Sequence, residues 1–182
     1  MASSFIKFSL VTNNSELEEY FFDQKNFAKI NFVKNKHQAN YHLCLIDLEN
    51  DLKNTSQVLI ELYQYCRENN QKLSVVLLHG QKLDTEKNKY LKDILDDLSQ
   101  QKPLYRLLII PCLFINNSAV VELWFNQLIN QALFKHSVSV SQKGNFTFNP
   151  LSVSDLENAL LKSTFLSNTQ GQTFWLLGNN FK

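Results

Sequence analysis

The sequence predicts an α/β fold, a Rossmann-like wound sheet of mostly parallel strands, and two observations support this prediction. Continuous apolar runs occupy 73–78 and 107–115, and a charged segment at 84–101 separates them. A strand that is buried on both faces appears as a continuous apolar run, whereas the intervening segment has apolar residues at helical spacing. Together the three segments predict one β-α-β unit with central parallel strands.

Further strands and helices alternate on both sides of this unit. Apolar runs and alternation predict additional strands over 5–12, 27–33, 41–48 and 172–177. Apolar residues at helical spacing predict additional helices after Ser15, from 54–56 to Glu68, over 118–134, and after Ser152 or Ser154. Because strands and helices alternate, we expect all six strands in one mostly parallel sheet with right-handed crossovers.

The helix starts are predicted from residues that satisfy exposed backbone N–H groups. Ser15 is the predicted N-cap of the first helix, with Glu16 and Glu18 in the favourable first turn. Ser152 or Ser154 is the predicted cap of the last helix, and Asp155 is also expected to cap its amino end. Side-chain oxygens at these positions accept hydrogen bonds from amides that have no partner inside the helix.

A β-hairpin is predicted between the last two helices. Apolar residues alternate on both sides of the turn sequence Lys143-Gly144-Asn145, with Val138 and Val140 before it and Phe146 and Phe148 after it. A glycine and asparagine turn between alternating segments is typical of a hairpin. We expect this hairpin, at 137–148, to lie at the carboxyl-side rim of the sheet as an excursion from the wound fold.

Length and charge narrow the class of protein. The 182 residues, of which 44% are hydrophobic, predict one domain over 1–182 with a substantial core. Eighteen basic and seventeen acidic residues give a formal charge of +1. Because nucleic-acid binding requires a basic patch or stripe, and the charges here are dispersed, we expect no nucleic-acid partner.

The cysteines and the hydropathy of the chain indicate its cellular location. Cys44, Cys66 and Cys112 are widely spaced and form no C-x-x-C motif, so they are interpreted as thiols in a reducing environment. The longest apolar run, 107–115, is half of the roughly 18 residues that a membrane-spanning helix requires. No secretory signal pattern is present at the amino terminus. We therefore expect a cytoplasmic protein without membrane insertion.

Three short patterns follow one another in the second half of the chain. They are Ile110-Pro111-Cys112-Leu113-Phe114, then Val153-Ser154-Asp155 with Ala159, then Gly171 to Gly178 around Phe174. In this order they resemble the extended short-chain dehydrogenase/reductase family, which includes the NAD-dependent sugar-nucleotide epimerases and dehydratases. The matching family elements are the strand entering the substrate region, the V-x-D-x-x-x-A helix start and the closing G-x-x-F-x-x-x-G strand. The resemblance implies a Rossmann-like fold.

The residues that would bind the family's cofactor are absent. The family has a glycine-rich turn after its first strand, because only glycine lets the backbone approach a pyrophosphate at the helix amino end. The matching stretch here, 11–16, contains no glycine and places Glu16 where the phosphate would lie. A carboxylate repels a pyrophosphate in a site of low dielectric constant. We therefore predict no cofactor and no useful affinity for NAD(P).

The family's catalytic residues are also missing. Its Tyr-x-x-x-Lys pair falls on Thr85 and Lys89, and threonine cannot supply a phenolate. Tyr90 follows the lysine and has the wrong spacing. The strand-end serine or threonine falls near His79, and Ile110 replaces the substrate-binding arginine. No catalytic residue is therefore predicted.

Three residues remain as candidates for contact with a ligand. Asp47 and His79 end predicted strands, and the carboxyl ends of parallel strands form the ligand side of an open α/β sheet. Asp47 is equally typical of a turn cap, and His79 of a loop histidine bonded to the backbone. Lys89 is the third candidate, as the possible counterpart of the family lysine. The acidic residues of 84–97 follow a helix face rather than a calcium loop, so no metal site is predicted.

Trp124 and Phe125 are the candidate interface residues, because the resemblance places neighbouring helices at subunit contacts, although aromatic residues at helical spacing are also typical of a core. The sequence therefore favours a non-catalytic interaction or regulatory module with a protein partner or self-association. The alternative is an epimerase- or dehydratase-type enzyme with an unusual nucleotide site. A receiver-like signalling domain has a similar sheet, but the acidic pair that would hold magnesium after its first strand is missing here.

Overall fold

The computed structural model describes most of the amino-terminal half of the chain and the carboxyl-terminal helix with its flanking segments. The described residues are 5–48, 50, 52, 55–78, 85, 89–90, 92–93, 96, 105–111, 113–114, 133–134 and 151–178. The predicted helix at 118–134 is described only at its last two residues, and the predicted hairpin at 137–148 lies outside the described residues.

Six strands form one parallel sheet, which confirms the predicted fold class. They are β1 (Ile6–Thr12), β2 (Ile30–Val33), β3 (Tyr41–Asp47), β4 (Lys72–Leu78), β5 (Tyr105–Ile110) and β8 (Thr173–Trp175). Their order in the sheet is β2-β1-β3-β4-β5-β8, and every neighbouring pair is parallel. The first five strands thus follow the flavodoxin-like variant of the doubly wound fold, in which the strand order reverses between β1 and β3.

The described residues give the bounds of three helices, and these cover the two faces of the sheet. They are α1 (Ser15–Phe22), α2 (Thr55–Glu68) and α3 (Val153–Phe165). The buried residues of α1 and α3 share one core with β1, β3 and β4, and the buried residues of α2 form a second core on the opposite face. Side chains at alternate positions of the strands enter the two cores in turn, which explains why the central strands are continuous apolar runs.

The connection from β2 to β3 is unusually short for a parallel crossover. The link at 34–40 contains only the short 3₁₀ turn Lys36–Gln38, which packs against β1, whereas most such crossovers contain a helix. The register explains this length, because β2 pairs only with Ile6 to Ser9 of β1, and β3 begins opposite Phe8. The chain therefore crosses β1 near its amino end, and the carboxyl half of β1 lies beyond the crossover.

The apolar segment 107–115 does not form one strand, so the prediction of a single strand there is wrong. β5 ends at Ile110, and β6 (Leu113–Phe114) pairs instead with β7 (Leu151–Ser152) in a separate small sheet. Pro111 lies between the two strands and has no N–H to donate to a ladder. The apolar run continues through this break because β5 before it and Leu113 after it are both buried.

One predicted helix cap is wrong, and the structure selects between the alternatives predicted for another. Asn14, not Ser15, is the N-cap of α1, and Ser15 is the first helical residue. Ser152 is the N-cap of α3, and its hydroxyl accepts a hydrogen bond from the Asp155 amide at 3.1 Å. The Asp155 carboxylate accepts from the same hydroxyl at 2.7 Å, so it supports the cap from inside the first turn.

The second predicted strand is shorter than expected. β2 begins at Ile30 rather than at Phe27, because a 3₁₀ turn at Gln24–Asn26 precedes it and Phe27 points into the α1 face of the core. Within the described part of the chain, no helix has both the length and the apolar character needed to cross a membrane.

Candidate functional site

The carboxyl ends of β1 and β3 form the point where the strand order reverses, which is the usual ligand position in a doubly wound sheet. Asp47, a predicted ligand contact, is the last residue of β3 and lies here. The Asn13 side chain bonds its backbone twice, accepting from the Asp47 amide at 2.8 Å and donating to the Asp47 carbonyl at 2.9 Å. Asn13 thus imitates a strand partner and prolongs the β1–β3 ladder by its side chain.

Asn14 closes the amino end of α1. Its Oδ1 accepts hydrogen bonds from the amides of Glu16 and Leu17, both at 3.0 Å. Its Nδ2 donates to the Asp47 carboxylate at 2.8 Å, and Asn50 donates to the same carboxylate oxygen at 2.8 Å. One asparagine therefore satisfies the first amides of the helix and holds a carboxylate beside them.

This arrangement is the opposite of a pyrophosphate site. Such a site needs free amides at the helix amino end and a close backbone approach that glycine permits. Here the Asn14 side chain occupies the Glu16 and Leu17 amides, and the Asp47 carboxylate lies at the same end. An incoming phosphate would have to displace the cap and approach the Asp47 carboxylate.

A cavity of about 120 Å³ lies beside this junction, between the carboxyl ends of β1 and β3 and the first turns of α2. Its lining residues are Val11, Thr12, Asn13, Cys44, Leu45, Thr55 and Val58. The cavity is well below the roughly 300 Å³ at which ligand pockets for drug-sized molecules begin. It has room for a small molecule, but not for a dinucleotide or a nucleotide sugar.

The thiol in this cavity is not a nucleophile. Burial raises the pKa of the Cys44 thiol to about 12, with a further contribution from the neighbouring Cys66. Burial likewise raises the pKa of Cys66 to about 12, although Lys36 opposes the shift. Because the thiolate is the reactive form, both cysteines are protonated and inert at neutral pH. Both are free and buried, as expected from the sequence.

Of the other two predicted ligand contacts, the structure describes only Lys89. Lys89 has helical backbone conformation and is exposed. Its neighbour Tyr90 is half-buried and accepts a hydrogen bond from Ser56 at 3.2 Å, and burial raises the pKa of the Tyr90 phenol. His79 and both predicted interface residues, Trp124 and Phe125, lie outside the described residues.

Three hydrogen-bonded polar side chains, Ser9, His42 and Gln71, form a buried row that the sequence did not predict. His42 Nδ1 lies 2.5 Å from the Ser9 hydroxyl, and His42 Nε2 lies 2.6 Å from Gln71 Oε1. Gln71 also donates to the Ala39 carbonyl at 3.3 Å, which fixes its Oε1 toward the imidazole, so Nε2 carries the proton. A serine paired with a histidine is part of a hydrolytic triad, but the third group here is the neutral Gln71 rather than a carboxylate, and Ser9 is 1% and His42 0% exposed. No substrate reaches this serine in the folded protein.

Two buried charged residues join distant parts of the chain. Glu157 of α3 accepts hydrogen bonds from the amides of Ala28, Lys29 and Ile30, at 3.4, 2.7 and 2.9 Å. Arg106 of β5 donates to the Ser163 carbonyl, at the carboxyl end of α3, at 2.5 Å. Both contacts replace water around a charged group with backbone partners, which is the condition for burying it.

The sequence offered only a weak signal for these groups. A polar residue inside an apolar run, such as Ser9 between Phe8 and Leu10 or His42 between Tyr41 and Leu43, marks a buried polar group but not its partner. Glu157 follows a regular helical pattern, and its partners lie more than a hundred residues away. Within the described residues, no group of three or more His, Cys, Asp or Glu side chains is arranged to hold a metal ion.

Comparison of the chain with protein-family models, with curated proteins and with solved structures found no match. The class of protein is therefore defined by the fold and the site alone: a mostly parallel, doubly wound α/β sheet whose reversal point carries an asparagine-capped helix and a small cavity.

Proposed function

We propose that this chain is a non-catalytic interaction or regulatory module built on a degenerate epimerase-like Rossmann fold. The observation that carries the proposal is the junction of β1 with α1. There Asn14 takes the amides that would bind a pyrophosphate, and the Asp47 carboxylate occupies the space in front of them. A fold that keeps its sheet and helices while its cofactor junction is filled retains a shape that can bind a partner.

The state of the potential reactive groups supports the same proposal. Both described thiols are protonated, and the Ser9–His42 pair is buried in the protein interior. Lys89 is exposed and follows Thr85 at the spacing where the family has its tyrosine. None of these groups combines access, proton affinity and geometry in the way that catalysis requires.

The partner is proposed to be another protein or a second copy of this chain, bound through Trp124 and Phe125 of the helix that the sequence predicts at 118–134. Hot spots of protein interfaces are enriched in such aromatic residues. A cytoplasmic location, with no nucleic-acid partner, belongs to the same proposal, because free buried thiols suit a reducing compartment.

Thermal unfolding with and without candidate cofactors tests the proposal that the protein is non-catalytic. A ligand at 1 mM with a dissociation constant of about 100 μM would stabilise the folded state by about 1.4 kcal/mol, enough to raise the melting temperature measurably. NADH, NADPH and UDP-glucose are expected to leave the midpoint unchanged. A saturable rise with any of them contradicts the proposal, as does turnover of a nucleotide sugar that Lys89→Ala abolishes.

A further inference from the structure

Few contacts hold the link at 34–40 to the rest of the molecule. Its first five residues are all exposed. The Tyr65 hydroxyl of α2 lies 3.1 Å from His37 Nδ1, and the Lys36 ammonium group lies over the Tyr65 ring, 4.3 Å from the ring centroid. A segment with exposed hydrogen bonds and few buried side chains opens locally at a small cost in free energy, while the rest of the protein stays folded.

The link and the Tyr65 side chain together cover His42. The His42 and Tyr65 rings contact each other, with centroids 5.5 Å apart. Ser9, the partner of His42 Nδ1, lies on the part of β1 that the link crosses. Gln71, the partner of His42 Nε2, also donates to the Ala39 carbonyl at the end of the link. His42 is 0% exposed in this arrangement, so a charge on its ring would have no contact with water.

A proton added to His42 disturbs its hydrogen bond with Ser9. In the neutral ring, Nδ1 accepts from the Ser9 hydroxyl. In the protonated ring both nitrogens donate, so the Ser9 oxygen can accept from Nδ1 only by turning its own proton away. Ser9 is 1% exposed, and within the described part of the chain its hydroxyl has no partner besides His42. The closed structure would therefore bury a donor without an acceptor, which is destabilising.

The charges around His42 offer no compensation for that proton. The titratable side chains on this side of the surrounding elements are Lys7 of β1, Cys44 of β3, Lys36 and His37 of the link, and Glu61, Tyr65, Cys66 and Glu68 of α2. Among the described residues, no carboxylate forms an ion pair with Lys36, His37 or His42. Glu61 accepts a hydrogen bond from Gln57 at 3.0 Å instead. An imidazolium at position 42 would therefore lie near the Lys36 ammonium group without an anion beside it.

Protonation of His42 and opening of the link are coupled through the same contacts. Burial lowers the pKa of His42, its hydrogen bond with Gln71 opposes the shift, and Lys36 lowers the pKa further. Because the interaction of two charges is reciprocal, a proton on His42 must also destabilise Lys36 in its closed position. Opening the link moves Lys36 away and brings water to the imidazolium, so acid favours the open form.

We propose that the link at 34–40 is a pH-controlled cover: protonation of His42 releases the first five residues of the link from α2 while the sheet stays folded. Release uncovers the Tyr65 ring and the part of β1 around Ser9 on the α2 face. This new surface is the output of the switch. The inference goes beyond the proposed function, because it holds whether or not the chain binds a cofactor or a partner.

Amide hydrogen exchange at about pH 7.5 and about pH 5, on either side of the ordinary histidine pKa and corrected for the intrinsic effect of pH, measures the opening. The Gln38 and Ala39 amides, bonded inside the 3₁₀ turn of the link, are expected to show at least about threefold more opening at the lower pH. The Leu107 amide, bonded to the Gln172 carbonyl between β5 and β8, reports the sheet and should show a smaller rise. No rise at Gln38 and Ala39, or an equal rise at Leu107, overturns the proposal.

Two lysines of the link provide a matched pair of surface variants. Lys36→Gln removes the cation beside His42, so the titration of the His42 ring, followed by its NMR signals, should move to higher pH. The ratio of link opening between about pH 5 and about pH 7.5 should fall in the same variant. Lys34→Gln removes an equal charge from a position that faces Glu18 and Phe22 instead, and it should change neither result. A Lys36→Gln variant that behaves like Lys34→Gln overturns the proposal.

His37 is the other histidine in contact with Tyr65, and its titration is distinguished in the same spectra. When His37 is protonated, the Tyr65 hydroxyl can accept from Nδ1 and donate its own proton to water, since this contact is at the surface. Opening of the link should therefore follow the titration of His42 and not that of His37. In His42→Gln, opening at about pH 5 should be no greater than at about pH 7.5. Opening that follows the His37 signals, or an acid-induced rise that persists in His42→Gln, overturns the proposal.

Discussion

At the scale of single residues, Glu157 is the contact whose loss should cost the most stability for the smallest change. Its carboxylate accepts three backbone amides in a buried position. Glu157→Gln replaces one acceptor oxygen with a donor that faces N–H groups, so we expect the free energy of unfolding to fall by about 1–3 kcal/mol in urea denaturation.

The neighbouring Asn158 provides the control for this prediction. It contacts the same segment through the Lys29 ammonium group at 3.2 Å, but at the surface. Asn158→Ala is therefore expected to change the free energy of unfolding by no more than about 0.5 kcal/mol. A Glu157→Gln variant as stable as Asn158→Ala would show that the three amides find water instead.

His42 should make the protein sensitive to acid. Burial lowers the pKa of His42, although its hydrogen bond with Gln71 opposes the shift, and Lys36 lowers the pKa further. The unfolded chain therefore binds a proton more readily than the native protein once the pH falls below the ordinary histidine pKa of about 6.5. The contribution of His42 to the free energy of unfolding should therefore be constant above about pH 6.5, the ordinary histidine pKa. It should decline as the pH falls from that value toward the pKa of His42 in the folded protein.

Urea denaturation between pH 7.5 and 5, chosen as a range of about one unit or more on each side of the ordinary histidine pKa, measures this decline. The variant His42→Gln should flatten the dependence of the free energy of unfolding on pH while lowering stability throughout. An unaltered slope in His42→Gln would assign the acid sensitivity to other groups.

Residue-scale features of this kind were the least predictable from the sequence. Asp47 was correctly placed at the end of a strand, but its partners Asn13 and Asn14 lie 34 and 33 positions away along the chain. The three amides held by Glu157 are separated from it by 127 to 129 positions. Local patterns encode burial, whereas such pairings depend on how distant elements meet.

At the scale of elements, the amino end of α1 distinguishes the structure from the sequence-based prediction. Asn14→Ala removes the acceptor of the Glu16 and Leu17 amides and the donor to Asp47, so we expect a loss of about 1–2 kcal/mol in the free energy of unfolding. Ser15→Ala tests the cap expected from the sequence and should cost less than about 0.5 kcal/mol. A larger effect at Ser15 than at Asn14 in urea denaturation would reverse the assignment.

The elements themselves were largely predictable, because each central strand is a continuous apolar run. All six strands of the sheet were expected, and their parallel arrangement followed from the intervening helices everywhere except between β2 and β3, where no helix was predicted. The errors fall at boundaries: the break at Pro111, the late start of β2 at Ile30, and the cap at Asn14. At Pro111 the missing N–H ends the ladder, before Ile30 a 3₁₀ turn delays the strand, and at Asn14 side-chain hydrogen bonds decide between two neighbouring polar residues.

At the scale of the whole molecule, the two cores share one sheet, and the carboxyl-terminal helix completes the amino-terminal core. Leu156 and Leu160 of α3 pack with Phe8 and Leu43, and Lys72 donates to the Thr164 carbonyl at 2.8 Å. Cys44 and Cys66 lie in the other core, under α2. Because the same strands line both cores, loss of α3 contacts should also destabilise the core under α2.

Thiol labelling measures this coupling between the faces. With Cys112 replaced by Ser, Cys44 and Cys66 are expected to react with a disulfide reagent only when the protein unfolds, and therefore at one common rate, since both are buried and protonated. The substitution Glu157→Gln is on the opposite face of the sheet from the two cysteines. It should nevertheless accelerate the labelling of both cysteines together, about tenfold for each 1.4 kcal/mol of stability lost. Asn158→Ala should leave both rates unchanged. Labelling of the two cysteines at different rates, or rates that Glu157→Gln does not change, would mean that the α2 face opens independently of the rest of the molecule.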